Sequence, residues 1–120
     1  MTNERALSEI EQLVLLALAR LNDDAYGVTI RREIEVRGRR PVSIAGVYSC
    51  LERMEQRGLV ESWLTEPTPE RGGRAKKHFR LTAAGVESLV QARQRLDRMW
   101  AGLRIAPETV PATARRSRRP

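Results

Sequence analysis

Aromatic residues and metal-binding side chains are scarce in this chain of 120 residues. Only 4% of the residues are aromatic, and the chain has one cysteine, Cys50, and one histidine, His78. A single cysteine excludes an internal disulfide, and one cysteine with one histidine is too few for a zinc-ligand set. We therefore expect no metal or cofactor, neither a metalloenzyme nor a Cys/His hydrolase, and a mainly aliphatic core in which Cys50 is a small buried hydrophobe.

Long apolar runs are also missing. No stretch approaches the roughly 18 consecutive apolar residues that a membrane-spanning helix requires. The N-terminus carries acidic Glu9 and Glu11 where a signal peptide would be apolar. No pair of titratable side chains stands out in a setting that would perturb their pKa values, which disfavours an enzyme. We expect a cytoplasmic protein without membrane association.

Positive charge, in contrast, is in excess. Twenty-two Lys and Arg residues oppose fifteen Asp and Glu residues, for a net charge of +7. A small basic protein points to an anionic partner, either nucleic acid or a membrane surface. Residues 104–120 carry four of these net charges together with three prolines and no apolar periodicity. We therefore expect one ordered domain followed by a disordered basic tail.

Apolar residues recur at helical spacing in three segments of the first half. The first predicted helix spans Leu7–Leu21, and its wide apolar stripe indicates burial on more than one side. The second is predicted to begin with Asp24 as its N-cap and to end at Gly38 in a left-handed conformation. The third runs from an N-cap at Ser43 to Gly58. The side chains that we expect to face the core from the second and third helices are Tyr26, Ile30, Ile34, Val47, Leu51 and Met54.

The period then changes from helical to alternating. Residues 59–65 and 76–81 are typical of two strands, and the loop between them contains two prolines and two adjacent glycines. This pattern predicts a β-hairpin with a long basic tip. We assign Trp63 and Phe79 to its packing face and expect His78 to be exposed or half-buried, without a catalytic role.

A last helix is predicted after an N-cap at Thr82. Its apolar positions fall on two seven-residue series, 86–93–100 and 89–96–103, which resemble a coiled-coil seam with Arg93 as its one polar interruption. The seam spans only about two and a half heptads, so it needs further apolar surface from the first helix of a second copy. The alternative is that this helix folds back on its own domain. The expected dimer interface consists of Leu13, Leu16, Val86, Leu89, Arg93, Leu96, Trp100 and Leu103.

This order of elements predicts a mainly α fold with a small β-hairpin. We expect a winged helix-turn-helix domain over residues 1–81, a C-terminal dimerisation helix over 82–103, and the tail over 104–120. The outward face of the third helix would enter the major groove, and the hairpin would contact phosphates. A plainer alternative is a solvated helix face and hairpin charges that prevent aggregation. The residues that we expect to contact DNA are Tyr26, Arg39, Arg40, Ser43, Ala45, Gly46, Tyr48, Ser49, Arg53, Arg71, Arg74, Lys76 and Lys77.

Two segments and one dipeptide together resemble the PadR family of bacterial transcriptional regulators. They are Ser43-x-x-Gly46-Val47-Tyr48-x-x-Leu51-x-x-Met54-Glu55-x-x-Gly58-Leu59-Val60, then Gly72-Gly73-Arg74-x-Lys76-Lys77-x-Phe79-x-Leu81-Thr82-x-x-Gly85, and Tyr26-Gly27. The resemblance covers about residues 7–103 and departs from the family pattern at Ser49 and His78. It implies a dimeric winged-helix repressor, similar to short members that have a single C-terminal helix, some of which respond to ligands.

We therefore expect a homodimeric, sequence-specific repressor of transcription that binds an inverted repeat in double-stranded DNA. Trp100 lies on the seam, where two copies can sandwich a planar hydrophobic molecule, although a tryptophan on such a helix is more often core. Two other hypotheses stay open at this point. One is a winged-helix module that binds a partner protein without specific DNA binding. The other is non-specific coating of nucleic acid by the arginine-rich tail.

Overall fold

The computed structural model describes residues 6–66 and 75–109. Within these ranges, helices α1 (Glu9–Leu21), α2 (Gly27–Arg37) and α3 (Ile44–Gln56) precede an antiparallel hairpin of strands β1 (Val60–Leu64) and β2 (Lys77–Leu81). Helix α4 (Ala83–Trp100) follows, and short 3₁₀ turns lie at Asn22–Asp24 and Pro107–Thr109. The predicted mainly helical fold with a hairpin and a C-terminal helix is confirmed. Among the described residues, no helix has both the length and the apolar character that crossing a membrane demands.

Hydroxyl side chains start three of the four helices. Ser43 Oγ accepts a hydrogen bond from the Gly46 N–H (2.9 Å), and Thr82 Oγ1 accepts one from the Gly85 N–H (3.1 Å). Both predicted N-caps are therefore confirmed. Ser8 caps α1 in the same way, with the Glu11 carboxylate accepting from the Ser8 N–H in return (2.8 Å). Such caps satisfy N–H groups that have no partner within the helix.

The boundaries of α2 differ from the prediction at both ends. Its N-cap is Tyr26 and not Asp24, because the Asp24 backbone belongs to the 3₁₀ turn and residues 25–26 are extended. Thr29 Oγ1 accepts from the Tyr26 N–H (3.0 Å) and closes the first turn. At the other end, Gly38 has a right-handed φ of −82°, whereas Arg39 has the positive φ of 53°. The left-handed residue therefore lies one position later than predicted.

The core fills the space between α1, α2, α3 and the hairpin. As predicted, it is mainly aliphatic, and Phe79 is its one large aromatic side chain among the described residues. The predicted inward positions Ile30, Ile34, Val47, Leu51 and Met54 are all buried, as is Cys50. Glu11 and Arg57 form a largely buried ion pair (3.8 Å) that joins the start of α1 to the end of α3.

The extended segment before α2 pairs with β2 through a single isolated bridge. Phe79 N–H donates to the Ala25 carbonyl oxygen (2.9 Å), and Tyr26 bridges His78 in antiparallel fashion. On the other side of β2, the register pairs His78 with Trp63, so Trp63 faces away from Phe79. Its assignment to the same packing face as Phe79 was wrong. The expectation for His78 was also wrong, because the side chain is buried between Tyr26 and Trp63 and only 7% exposed.

Helix α4 is attached to the turn that follows α3. Thr82 Oγ1 donates to the Gly58 carbonyl oxygen (2.6 Å), and the Thr82 N–H donates to that of Leu59 (3.1 Å). Gly85 lies so close to this turn that a Cβ there would overlap the Leu59 carbonyl oxygen. The attachment therefore fixes the direction in which α4 leaves the domain.

The predicted seam extends beyond the end of α4. The helix ends at Trp100, and Gly102 has a φ of +82°, so Leu103 lies past the turn and not on the helix. The prediction of a continuous helix to Leu103 was wrong, because the chain turns at Gly102. Residues 110–120, most of the predicted tail, lie outside the described residues.

Candidate nucleic-acid interface

The exposed face of α3 is made of small polar and apolar side chains near its start. Ser43, Ala45 and Ser49 are exposed and Gly46 is half-buried, while Val47 and Leu51 turn into the core. Ser49 and Arg53 lie one helical turn apart on this face, as predicted. Small side chains let a helix approach another molecule closely, and its first N–H groups favour an anion such as phosphate.

Tyr48 links α3 to the start of α2. Its ring is 39% exposed and lies against Gly27, where a Cβ would overlap the end of the phenol. Gly27 is therefore required for this close approach. As a result, the start of α2 and the exposed face of α3 form one surface.

The same surface continues to the loop end of the hairpin, where Lys76 precedes β2. Lys76 Nζ lies 4.6 Å from the centroid of the Tyr26 ring, a typical cation–π distance. Lys76 is itself exposed, and its backbone is held by Thr65, whose N–H donates to the Lys76 carbonyl oxygen (2.9 Å). The structure thus brings together five of the residues predicted from sequence: Tyr26, Ser43, Tyr48, Ser49 and Lys76. We call these five residues the α3–hairpin surface.

Lys77 is separated from the α3–hairpin surface. It follows Lys76 in the strand and therefore points to the opposite face, where its Nζ lies 3.9 Å from a Glu55 carboxylate oxygen. Glu55 also accepts a hydrogen bond from Ser62 Oγ (2.7 Å). Lys77 is thus already paired with an acidic side chain at the end of α3.

The two arginines before α3 also differ from each other. Arg39 is exposed, whereas Arg40 forms an ion pair with Glu9 at the start of α1 (3.3 Å). Arg39 therefore presents its charge to solvent beside the start of α3. The remaining predicted cations, Arg71 and Arg74, lie outside the described residues.

Three side chains beside this surface were not among the predicted site residues. Trp63 and His78 extend the row of rings that starts at Tyr26, and the Arg80 guanidinium lies 5.1 Å from the centroid of Trp63. The positions of Lys76, His78 and Arg80, each two residues apart, place them on one face of a strand. That alternation was visible in the sequence, but the pairing with Trp63 and Tyr26 was not.

A second exposed surface lies on the C-terminal half of α4. Every residue from 93 to 100 is exposed, including Leu96 (53%), Met99 (72%) and Trp100 (54%). Arg93 pairs with Asp97 on the same helix (3.6 Å). On α1, Leu16 is exposed and Leu13 is half-buried against the core. An exposed apolar surface of this kind is typical of an interaction site.

Cys50 is the one cysteine of the chain and lies on the buried side of α3. Burial raises the pKa of its thiol from 9.0 to about 11, with a smaller rise from Glu11 and a lowering from Arg53. A protonated, buried thiol is a poor nucleophile. Cys50 therefore acts as a core residue beneath the exposed face of α3.

These features define a winged helix-turn-helix protein: a capped helix with a small-residue outer face, a preceding helix in contact with it, and a following hairpin with a cation at its loop end. The family described as "Transcriptional regulator PadR-like family" matches residues 14–91 of the chain. This match covers more than half of the sequence and includes α2, α3 and the hairpin. The chain belongs to the PadR-like family of transcriptional regulators, which are DNA-binding proteins and not enzymes.

Solved structures, among them two PadR family regulators, have the same fold. A PadR family transcription regulator from Clostridium difficile R20291 is 24% identical, with a TM-score of 0.61 over 79% of this chain and 100% of that chain. A PadR family regulator from Eggerthella lenta is also 24% identical, with a TM-score of 0.61 over 78% of this chain and 81% of that one. RosR from H. salinarum is 22% identical, with a TM-score of 0.64 over 85% and 84%. No curated protein matches the sequence significantly.

Proposed function

We propose that this protein is a homodimeric repressor that binds a specific inverted repeat in double-stranded DNA and is released by a small hydrophobic ligand. The observation that carries the proposal is the α3–hairpin surface, which joins the exposed start of α3 to a cation at the loop end of the hairpin through Tyr48 and Tyr26. In this role Ser49 and Arg53 read base edges, whereas Lys76 and Arg39 contact phosphates.

The exposed half of α4 supports the homodimer. Burying a large apolar side chain contributes about 1.5–3 kcal/mol, and Leu96, Met99 and Trp100 are left exposed by the chain itself. A two-fold pairing of α4 helices, with Leu16 of each copy beside them, covers these side chains. Two copies of α3 then lie about one DNA turn apart, ~34–36 Å, which is why the operator is an inverted repeat.

The proposed ligand site is the pair of Trp100 side chains in that dimer. Flat aromatic molecules stack on indole rings, and a symmetric pair offers two such rings. A ligand that changes the spacing of the α4 helices also changes the spacing of the α3 helices, because Thr82 and Gly85 attach α4 to the turn that ends α3.

DNA-binding measurements test the proposal directly. Fluorescence anisotropy is measured with the DNA upstream of the protein's own coding sequence and with a random-sequence duplex of equal length. Arg39→Ala is expected to weaken binding to both and to reduce the slope of log K against log salt by about 0.9, the value for one phosphate contact. Ser49→Ala is expected to change the preference between the two duplexes more than the salt slope.

A matched control is Arg20→Ala, which removes an exposed arginine at the end of α1 that is not part of the α3–hairpin surface. This variant should bind as the wild type does. Run-off transcription from the upstream promoter, with and without planar hydrophobic compounds, then tests repression and release. Specific binding that activates transcription, or that no such compound weakens, contradicts the corresponding part of the proposal.

The alternatives from the sequence give different results in the same assay. A protein-interaction module leaves both duplexes unbound at physiological salt. Coating by the tail predicts that deletion of residues 104–120 abolishes binding, whereas the repressor needs the tail for only a modest part of its affinity. A footprint that survives this deletion therefore supports the repressor.

A further inference from the structure

A row of three rings crosses the hairpin near its loop end. His78 in β2 lies at the centre, with its ring centroid 5.1 Å from Tyr26 on one side and 5.6 Å from Trp63 on the other. Each neighbour belongs to a different segment, because Trp63 pairs with His78 from β1 and Tyr26 bridges it from the segment before α2. Ring pairs at such distances contribute attraction beyond the area that they bury.

Cations cover both ends of this row. Lys76 Nζ lies over the Tyr26 ring (4.6 Å), and the Arg80 guanidinium lies over the Trp63 ring (5.1 Å). Both residues are two positions from His78 and share its face of the strand. The row therefore gives each of these exposed cations an aromatic platform, and the Arg80 guanidinium is also paired with the Glu61 carboxylate.

His78 is the member of the row with almost no exposure, and its neighbours are half-buried. Its Nδ1 lies 3.3 Å from the Lys76 carbonyl oxygen, a distance at which an Nδ1–H donates to that oxygen. The ring thus contacts the backbone of Lys76 and the platform under its ammonium group. Because His78 is buried, it cannot itself contact DNA in this arrangement.

From this geometry we infer that His78 is a positioning residue for DNA binding. It fills the gap between the start of α2 and the hairpin, and so holds Lys76 at a fixed distance from α3, which contacts α2 through Tyr48 and Gly27. The inference rests on the proposed function and extends it, because it assigns part of the DNA affinity to a buried ring outside the interface. Trp63 supports His78 from the other side.

The test combines His78→Ala, His78→Phe and Lys76→Ala on a random-sequence duplex, since phosphate contacts do not depend on sequence. His78→Ala is expected to weaken binding about tenfold and to reduce the salt slope by about 0.9, as Lys76→Ala does. His78→Phe keeps a planar ring and should restore most of the affinity and slope. The double variant His78→Ala/Lys76→Ala should be little weaker than either single variant, because both remove the same contact.

The control for general loss of stability is Ile34→Val, which removes a buried methyl group from α2 away from the row. It should lower the melting temperature without changing the salt slope.

Should His78→Ala not fold, Trp63→Leu replaces it, with the same expected loss of slope. A slope equal to that of the wild type in the variant tested, additive losses in the double variant, or failure of His78→Phe to restore binding overturns the inference. Failure of the wild type to bind any duplex is a separate result, which overturns the proposed function itself.

Discussion

The two halves of α4 are both helical, yet they are stabilised in different ways. In the first half, Gly85 and Ala92 are buried and Leu89 packs against the core. In the second half, every residue from Arg93 to Trp100 is exposed. The apolar spacing runs through both halves and is interrupted only at Arg93. The comparison teaches that a helical apolar stripe indicates that one face of the helix must be covered. The stripe does not show whether the same chain or a second copy covers that face.

The alternative in which the last helix folds back on its own domain therefore describes only part of α4. The first half contacts α1 and β2, and its start is bonded to the turn after α3. The second half extends beyond these contacts with three large apolar side chains exposed. We propose that a second copy covers them.

Gly85→Ala is expected to have the largest effect of these variants. It disrupts the first half of α4, which is attached to the domain. A Cβ at this position overlaps a backbone oxygen, that of Leu59, so α4 must move away from the domain. We expect the free energy of unfolding to fall by about 3 kcal/mol, at the upper end for overpacking. Urea denaturation measures this loss. The matched control is Gly46→Ala in α3, where the nearest atom to a Cβ is the Ser43 Oγ at 3.1 Å, and it should change stability by less than about 1 kcal/mol.

Leu89→Ala and Leu96→Ala make the same change in the two halves. Leu89→Ala should lower the free energy of unfolding by about 2 kcal/mol at every protein concentration, because Leu89 packs within its own chain. Leu96→Ala should have no such effect on the monomer and should instead weaken the dimer. Urea denaturation and sedimentation at several protein concentrations separate the two outcomes. Equal losses for both variants in dilute protein would show that the second half is also covered by its own chain.

The pH dependence of stability tests whether Cys50 is buried in the packed core, in contrast to the exposed second half of α4. Its thiol has a pKa of about 11 in the folded protein and 9.0 as the reference value, so the folded state holds the proton more tightly. Stability is therefore unaffected below pH 9 and falls between pH 9 and 11, by about 1.4 kcal/mol at pH 10. Urea denaturation of the wild type and of Cys50→Ala over this range isolates the thiol. If the two curves stay parallel, the thiol is not buried in solution.

Much of the candidate site could be predicted from local patterns. Ser43 and Thr82 were recognisable as N-caps because a hydroxyl before an apolar helical repeat satisfies free N–H groups, whatever the rest of the fold does. The exposure of Ser49 and Arg53 follows from the positions of Val47 and Leu51 on the opposite face. These are properties of a few neighbouring residues.

The errors, in contrast, lie where distant segments meet. His78 was expected to be at least half exposed, because nothing near it in sequence indicates that Tyr26 and Trp63 pack on either side. Lys76 and Lys77 are adjacent, yet one lies over an aromatic ring and the other beside Glu55. Strand register decides such pairings, and a shift of one residue would reverse them.

By itself, the sequence determined the order of helices and strands, the N-caps of α3 and α4, the excess of positive charge and the membership of a family. Periodicity, hydroxyl caps and charge are local or additive properties. Only the tertiary structure decided which residues share a surface. It placed Tyr26 against His78, Tyr48 against Gly27, and Gly85 against Leu59. Each of these contacts joins segments that are distant along the chain, and their geometry depends on how the whole core is packed.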